Sequence, residues 1–136
     1  MNWKYRNKEI TCVNDLPEGS FGFVYEVEFN NGRKYLGSKY LFHNKTLPPL
    51  KGTNRKRKKK VESDWCTYIG SFKDKELKAQ IKSKSLYPVD KKIIKVCYHA
   101  KQLTYWETKY LFTRNCLENE VYYNYNILGK FFKKDV

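Results

Sequence analysis

The sequence predicts an α+β domain: a small three-stranded sheet, mixed or antiparallel, flanked by helices. Three observations point there. Two strand-like segments, residues 22–29 and 34–39, are joined by Asn30-Asn31-Gly32-Arg33. A further apolar run, Ile93-Ile94-Lys95-Val96-Cys97-Tyr98, reads as a third, central strand. Residues 100–115 repeat apolar side chains at helical spacing.

Residues 1–20 are mixed and polar and end in a turn signal, Pro17-Glu18-Gly19-Ser20. Residues 22–29 alternate in character and are rich in Phe, Val and Tyr, as a strand requires. Asn30, Asn31 and Gly32 tolerate the positive φ of a tight hairpin turn. Alternation then puts Tyr25, Val27 and Phe29 on one face of the first strand, and Tyr35 and Gly37 on one face of the second. Gly37 inside a strand signals a close approach to something else.

From residue 40 to 63 the pattern changes. Pro48-Pro49 and Gly52 argue against regular structure. Lys39 to Lys60 holds nine Lys and Arg and no acid, so +9 of the net +14 lies here. The segment at about 43–63 reads as a basic loop or arm that orders against an anion. Ser71-Phe72-Lys73-Asp74 resembles a helix-starting cap, and Leu77 and Ile81 of the segment after it would face the core. Pro88 breaks the chain before the third strand, and Gly129 follows the aromatic stretch Tyr122–Ile127.

A chain of 136 residues fits a single domain over 1–136. Aromatic content of 17% with a mean hydropathy of -0.81 implies a real core beneath a charged surface. A net charge of +14 and a pI near 9.6 point to a polyanionic partner, nucleic acid first. No apolar run approaches the ~20 residues of a membrane span, and Met1–Arg6 lacks a signal peptide's apolar stretch. The expectation is a cytoplasmic chain without membrane contact. Cys12, Cys66, Cys97 and Cys116 are too widely spaced for a structural zinc site, and read as small buried residues.

Glu107 stands out on the long helix. Leu103, Trp106, Tyr110 and Leu111 share a face, and Glu107 falls in its middle. A desolvated carboxylate there needs a cation or hydrogen bonds. A divalent metal is one compensator. A capping box, Thr104-Tyr105-Trp106-Glu107, is another reading, and an ion pair with Arg114 is a third.

These pieces together resemble the GIY-YIG nuclease superfamily, and within it small bacteriophage-encoded homing-type endonucleases. Phe23-Val24-Tyr25 stands where the first tripeptide belongs, and Tyr35-Leu36-Gly37 where the second does. Supporting stretches are Glu62-Ser63-Asp64-Trp65 with Tyr68 and Gly70-Ser71, then Tyr105-Trp106-Glu107, then Tyr122–Ile127. The resemblance covers about residues 20–130. It departs from the pattern in three places. Phe and Val replace Gly and Ile; the usual helix arginine has no clear counterpart, with Lys39, His43 and Lys45 offered instead; Cys66 stands where relatives often carry lysine. Tyr68-Ile69-Gly70 spells the second tripeptide literally, but it lies 43 residues after Tyr25 and cannot share a short hairpin with it.

The resemblance implies metal-dependent hydrolysis of DNA phosphodiesters, with Mg²⁺ or another divalent cation such as Mn²⁺. Catalytic candidates are Tyr25, Tyr35, Lys39 and Asn124, and Glu107 is the metal ligand. One tyrosine helps take a proton from the attacking water and the other orients it. Lys45, Lys51, Arg55, Lys56, Arg57, Lys58, Lys59 and Lys60 are the nucleic-acid-binding candidates. Recognition would come from the basic arm, from pairing into a homodimer, or be loose. The alternative is a catalytically inactive basic DNA- or RNA-binding regulator. Each candidate also has a plain reading: twelve tyrosines make any one more often core than catalytic, His43 and His99 read as surface or packing residues, and Asn124 can mark a turn.

Overall fold

The computed structural model describes residues 1–136. Its strands and helices are β1 (Trp3–Tyr5), β2 (Lys8–Ile10), β3 (Gly22–Phe29), β4 (Lys34–Tyr40), β5 (Phe42–Leu47), β6 (Arg57–Glu62), α1 (Lys75–Lys82), β7 (Pro88–Cys97), α2 (Ala100–Thr113), β8 (Asn126–Ile127) and β9 (Phe131–Phe132). The main sheet has five strands in the order β2-β1-β7-β3-β4. β1 lies parallel to β7 and every other neighbour is antiparallel, so the sheet is mixed. The α+β class holds. The three expected strands are β3, β4 and β7, and β7 is central.

The two additional strands come from the N-terminal segment that reads as irregular. β1 and β2 are joined by Arg6 and Asn7, whose φ angles are 50° and 66°. A two-residue hairpin turn needs this left-handed pair, which glycine usually announces. Here Asn7 is the sole hint. Trp3 fixes the hairpin to the sheet: it is fully buried, and its indole N–H donates to the Trp65 carbonyl at 2.6 Å.

The β3–β4 hairpin turns where Asn30, Asn31 and Gly32 predict, with Gly32 at φ 82°. Its register pairs Phe23 with Lys39, Tyr25 with Gly37 and Val27 with Tyr35. Cross-strand partners share a face. Tyr25, Tyr35, Gly37 and Lys39 therefore lie on one side of the sheet, and Val24, Leu36 and Ser38 on the other.

Each side carries its own core. Trp3, Phe23, Tyr25, Val27, Phe29 and Ile93 pack with Trp65 and the α1 residues Leu77 and Ile81. On the opposite side, Val24, Leu36 and Cys97 pack under Leu103 and Leu111 of α2 and the chain after it. The helix starts are built as chemistry demands. Asp74 caps α1 by accepting from the N–H groups of Glu76 and Leu77. His99 caps α2, its Nδ1 accepting from Gln102 N at 3.2 Å. α2 thus begins at Ala100, which removes the capping-box reading of Glu107.

The basic segment departs most from expectation. Residues 42–47 and 57–62 are paired antiparallel strands, β5 and β6, forming a separate two-stranded ribbon. The prolines and Gly52 break structure only in the loop between them, where Gly52 takes φ 87°. The ribbon's root is pinned by Ser63 N donating to the Leu41 carbonyl at 2.8 Å. Cys97 and Cys116 are buried as expected, while Cys12 and Cys66 are exposed. No helix is long and apolar enough to cross a membrane.

Candidate active site

Tyr25 and Tyr35 come from facing strands, and their rings lie 6.3 Å apart at 32°. Gly37 sits between them. A Cβ at Gly37 would lie 2.6 Å from the Tyr25 hydroxyl and 3.1 Å from the Tyr35 ring. The close approach that a strand glycine signals is this one. Gly70 does the same on the other side of Tyr35, where a Cβ would lie 3.0 Å from that ring.

The two phenols differ in access. Tyr25 is 1% exposed, surrounded by Trp3, Phe23 and Tyr68. Burial pushes its pKa well above the ordinary phenol value, and Tyr35, Tyr68 and the Glu107 charge add to this. Tyr35 is half-buried and lines a cleft of about 1340 Å³ that also holds Glu107 and Asn124. Its pKa is pushed up to about 12, by burial first and then by Tyr68 and Glu107. The cleft's wall carries Arg33, Lys73, Lys78, Lys82 and Lys133, with Asp74 and Glu76 on the same wall besides Glu107.

Glu107 reaches this cleft from α2. Burial raises its carboxyl pKa, opposed by bonding of the charged form to the Ser38 hydroxyl and backbone. It makes no ion pair with Arg114. That arginine pairs instead with Glu26, which also accepts from the Tyr122 hydroxyl at 2.8 Å.

The three contacts along β4 follow one rule. β4 is an edge strand, so every second residue presents an unpaired N–H and C=O. Lys34 is satisfied by backbone: its N–H donates to Val121 O at 2.8 Å, and its C=O accepts from Tyr123 N at 2.7 Å. Leu36 is satisfied by a side chain shaped like a peptide. The Asn124 Oδ1 accepts from Leu36 N at 3.0 Å, and Nδ2 donates to Leu36 O at 2.6 Å. Ser38 comes next, and there the Glu107 carboxylate lies near enough for the Ser38 hydroxyl and backbone to favour its charged form. Both of Asn124's hydrogen-bonding atoms are thereby used to hold the strand that carries Tyr35.

Lys39 lies on the same face as Tyr35. Its ammonium pairs with Asp64 at 2.6 Å and sits 4.0 Å over the Tyr68 ring. The pairing holds the Asp64 carboxyl below its usual range, and His43 adds to this. His43 itself is exposed at the ribbon's root. Lys39 does not line the cleft, and the other nominated cations, on the ribbon, lie outside it too. Lys45 is on β5, Arg57, Lys58, Lys59 and Lys60 are on β6, and Lys51, Arg55 and Lys56 are in the loop between. All are exposed.

Sequence reasoning does not single out Ser38, and it takes Tyr68 and Ser71 only as stretches supporting the resemblance, not as site residues. Tyr68 touches Tyr25 at 5.9 Å between rings, supports Lys39, and hydrogen-bonds the Ser71 hydroxyl. Its signal was the literal tripeptide Tyr68-Ile69-Gly70, which hairpin spacing rightly removes from β4 but which lands beside Tyr35 all the same. Ser38 was findable as the residue between Gly37 and Lys39 that faces α2.

A family model described as "Putative endonuclease segE, GIY-YIG domain" matches residues 3–127. Comparison with the curated proteins and with the solved structures finds no match in either. The matched span takes in β1 through β8, including both tyrosines, Glu107 and Asn124. The chain belongs to the GIY-YIG endonuclease family, in its segE branch.

Proposed function

We propose that this chain is a divalent-metal-dependent DNA endonuclease that works from the cleft between β4 and α2. The observation that carries the reading is the meeting of Tyr35, Glu107 and Asn124 in one cleft at the β4 edge, whose wall carries more cations than acids. The donor set suits a magnesium-type ion. Glu107 is a single desolvated carboxylate beside the Ser38 hydroxyl, in a cleft with room for retained waters. When bound, a divalent cation supplies Lewis-acid activation of the phosphodiester and offsets the Glu107 charge that helps hold the Tyr35 pKa up.

The chain's own residues divide the remaining work. Tyr35, the phenol with access to the cleft, hydrogen-bonds the attacking water; once it has released its own proton to solvent, with the bound cation favouring the phenolate, it takes up the proton that the water loses. Tyr25 stands behind Gly37 and fixes the Tyr35 ring. Lys39 leaves Asp64 for a phosphate oxygen, giving point-charge stabilisation without the bidentate fork of an arginine. Asn124 keeps β4 in register, so it positions Tyr35 without touching substrate. The basic ribbon binds the DNA backbone or a groove beyond the cleft. Residues 1–136 act as one nuclease domain. The resemblance to small phage-encoded homing-type enzymes supports a protein of that kind, acting in a bacterial host's cytoplasm.

Supercoiled plasmid incubated with the purified protein tests this. Nicking or linearisation with Mg²⁺ or Mn²⁺, abolished by a chelator, is expected. Plasmid left intact with every divalent metal tried overturns the reading and returns the chain to a nucleic-acid-binding role.

A further inference from the structure

The β5–β6 ribbon has two chemically different faces. Register places Asn44 opposite Lys60 and Thr46 opposite Lys58 on one face. On the other, Lys45 faces Lys59 and Leu47 faces Arg57. At the root of the first face, Lys60 is held 4.2 Å over the Phe42 ring. Glu62, opposite Phe42, accepts from the Trp65 indole N–H, which leaves Asn44, Thr46 and Lys58 as the free polar groups of this face, all exposed.

The second face is electrostatically unfavourable on its own. Like charges directly opposite each other destabilise an antiparallel pair. No acid lies between Lys39 and Lys60, and of the cations in that span Lys39 alone has an acidic partner. A two-stranded ribbon is also marginal by itself. A polyanion alongside the ribbon relieves both problems.

We infer that the ribbon enters the major groove of B-form DNA and reads sequence there, with Asn44, Thr46 and Lys58 toward the base edges and Lys45, Arg57 and Lys59 reaching the flanking phosphates. This rests on the reading of the chain as a DNA endonuclease. The fit is dimensional as well as electrostatic. Two paired strands lie ~4.8 Å apart, and the major groove, ~12 Å wide, admits a two-stranded ribbon. The minor groove, ~6 Å wide, is narrower. A-form RNA has a deep, narrow major groove that side chains cannot read. The residue types suit base edges: Asn pairs bidentately with adenine, Lys donates to guanine, and the Thr methyl packs on the thymine methyl. Six residues of strand extend ~20 Å. With one ribbon per chain, rooted just after Lys39, recognition falls to one side of the cleaved bond, within about six base pairs at ~3.4 Å each.

Binding to randomised duplexes, followed by recovery and sequencing of the bound fraction, tests this without divalent metal. Cleavage plays no part, so a failed nuclease reading and a failed ribbon reading remain distinguishable. The expected result is a short preferred sequence whose affinity over scrambled duplex falls about tenfold in Asn44→Ala/Thr46→Ala. Lys45→Ser/Arg57→Ser/Lys59→Ser should weaken every sequence alike and lower the salt slope by about 0.9 per cation removed. Guanine N7 methylation should block binding of the unaltered protein, whereas a minor-groove ligand should not. This arm needs no folded variant. No sequence preference, a preference that survives Asn44→Ala/Thr46→Ala, block by the minor-groove ligand alone, or tighter binding to duplex RNA overturns the inference.

Discussion

Tyr25 and Gly37 face each other across β3 and β4 so closely that the phenol hydroxyl occupies the space a side chain at Gly37 would need. Gly37→Ala must displace the ring of Tyr25, which is packed on all sides. Overpacking of this kind costs about 1–3 kcal/mol. The Tyr35 ring moves with it, and a displacement near 1 Å can cost about a hundredfold in rate. Urea denaturation and single-turnover cleavage should show both losses. Near-normal cleavage by this variant would mean that the Tyr25–Tyr35 spacing is unimportant.

The unequal access of the two phenols predicts unequal consequences. Tyr35→Phe removes the hydroxyl that opens on the cleft and should slow cleavage by about 10²–10⁴-fold, the range of a lost acid–base group, with DNA affinity retained. Tyr25→Phe removes a buried hydroxyl that does not line the cleft and keeps the ring. Its effect should stay within about tenfold, at most the scale of one neutral hydrogen bond. Side-by-side single-turnover rates decide; a larger loss in Tyr25→Phe would reverse the roles.

Asn124→Ala strips both hydrogen bonds from Leu36 at a buried position. Two unpaired backbone groups should cost roughly 2–5 kcal/mol. Asn124→Asp keeps the acceptor for Leu36 N–H but cannot donate to its carbonyl, so it should also be destabilised. Denaturation midpoints measure this. If both variants are as stable as the parent but inactive, Asn124 acts directly on substrate.

Lys91 gives a pH signature away from the cleft. It is 2% exposed, sits 4.3 Å over the Trp3 ring, and donates to the Cys66 carbonyl at 3.1 Å. Burial lowers its pKa from 10.5 to about 8. Between those values the unfolded chain keeps a proton that the folded chain has released, so this group's contribution makes stability rise with pH across the window. Comparing the parent with Lys91→Met by urea denaturation at about pH 7.5 and about pH 9.5 isolates the effect. The difference between the two proteins should shift in the parent's favour at the higher pH. A difference that does not change with pH contradicts the burial account.

Much of this site was readable because its parts are periodic. Alternation and Asn30-Asn31-Gly32 define the β3–β4 hairpin, hence the shared face of Tyr25, Tyr35 and Lys39. Helical spacing places Glu107 among apolar neighbours. What stayed hidden depends on contacts without a local pattern. Asn124 imitates a peptide group 88 residues from Leu36, and no spacing announces that. Tyr68 joins the site by packing across the sheet face. The Arg6-Asn7 turn lacks glycine, so β1 and β2 went unseen. The ribbon was masked because lysine is a weak strand former and Pro48-Pro49 dominates its surroundings. Arg114 shares a helical face with Glu107, yet Glu26 on β3 holds it instead.

The metal assignment rests on Glu107, and Mg²⁺-dependent cleavage of plasmid by Glu107→Gln tests it most directly. Glutamine keeps the size and an acceptor for Ser38 while removing the charge. The expected result is a folded protein that binds DNA as the parent does but cleaves it about a hundredfold more slowly or worse, the scale of losing one electrostatic stabiliser. Cleavage by Glu107→Gln at the parent's rate, with the same Mg²⁺ dependence, would contradict the assignment of Glu107 as the metal ligand.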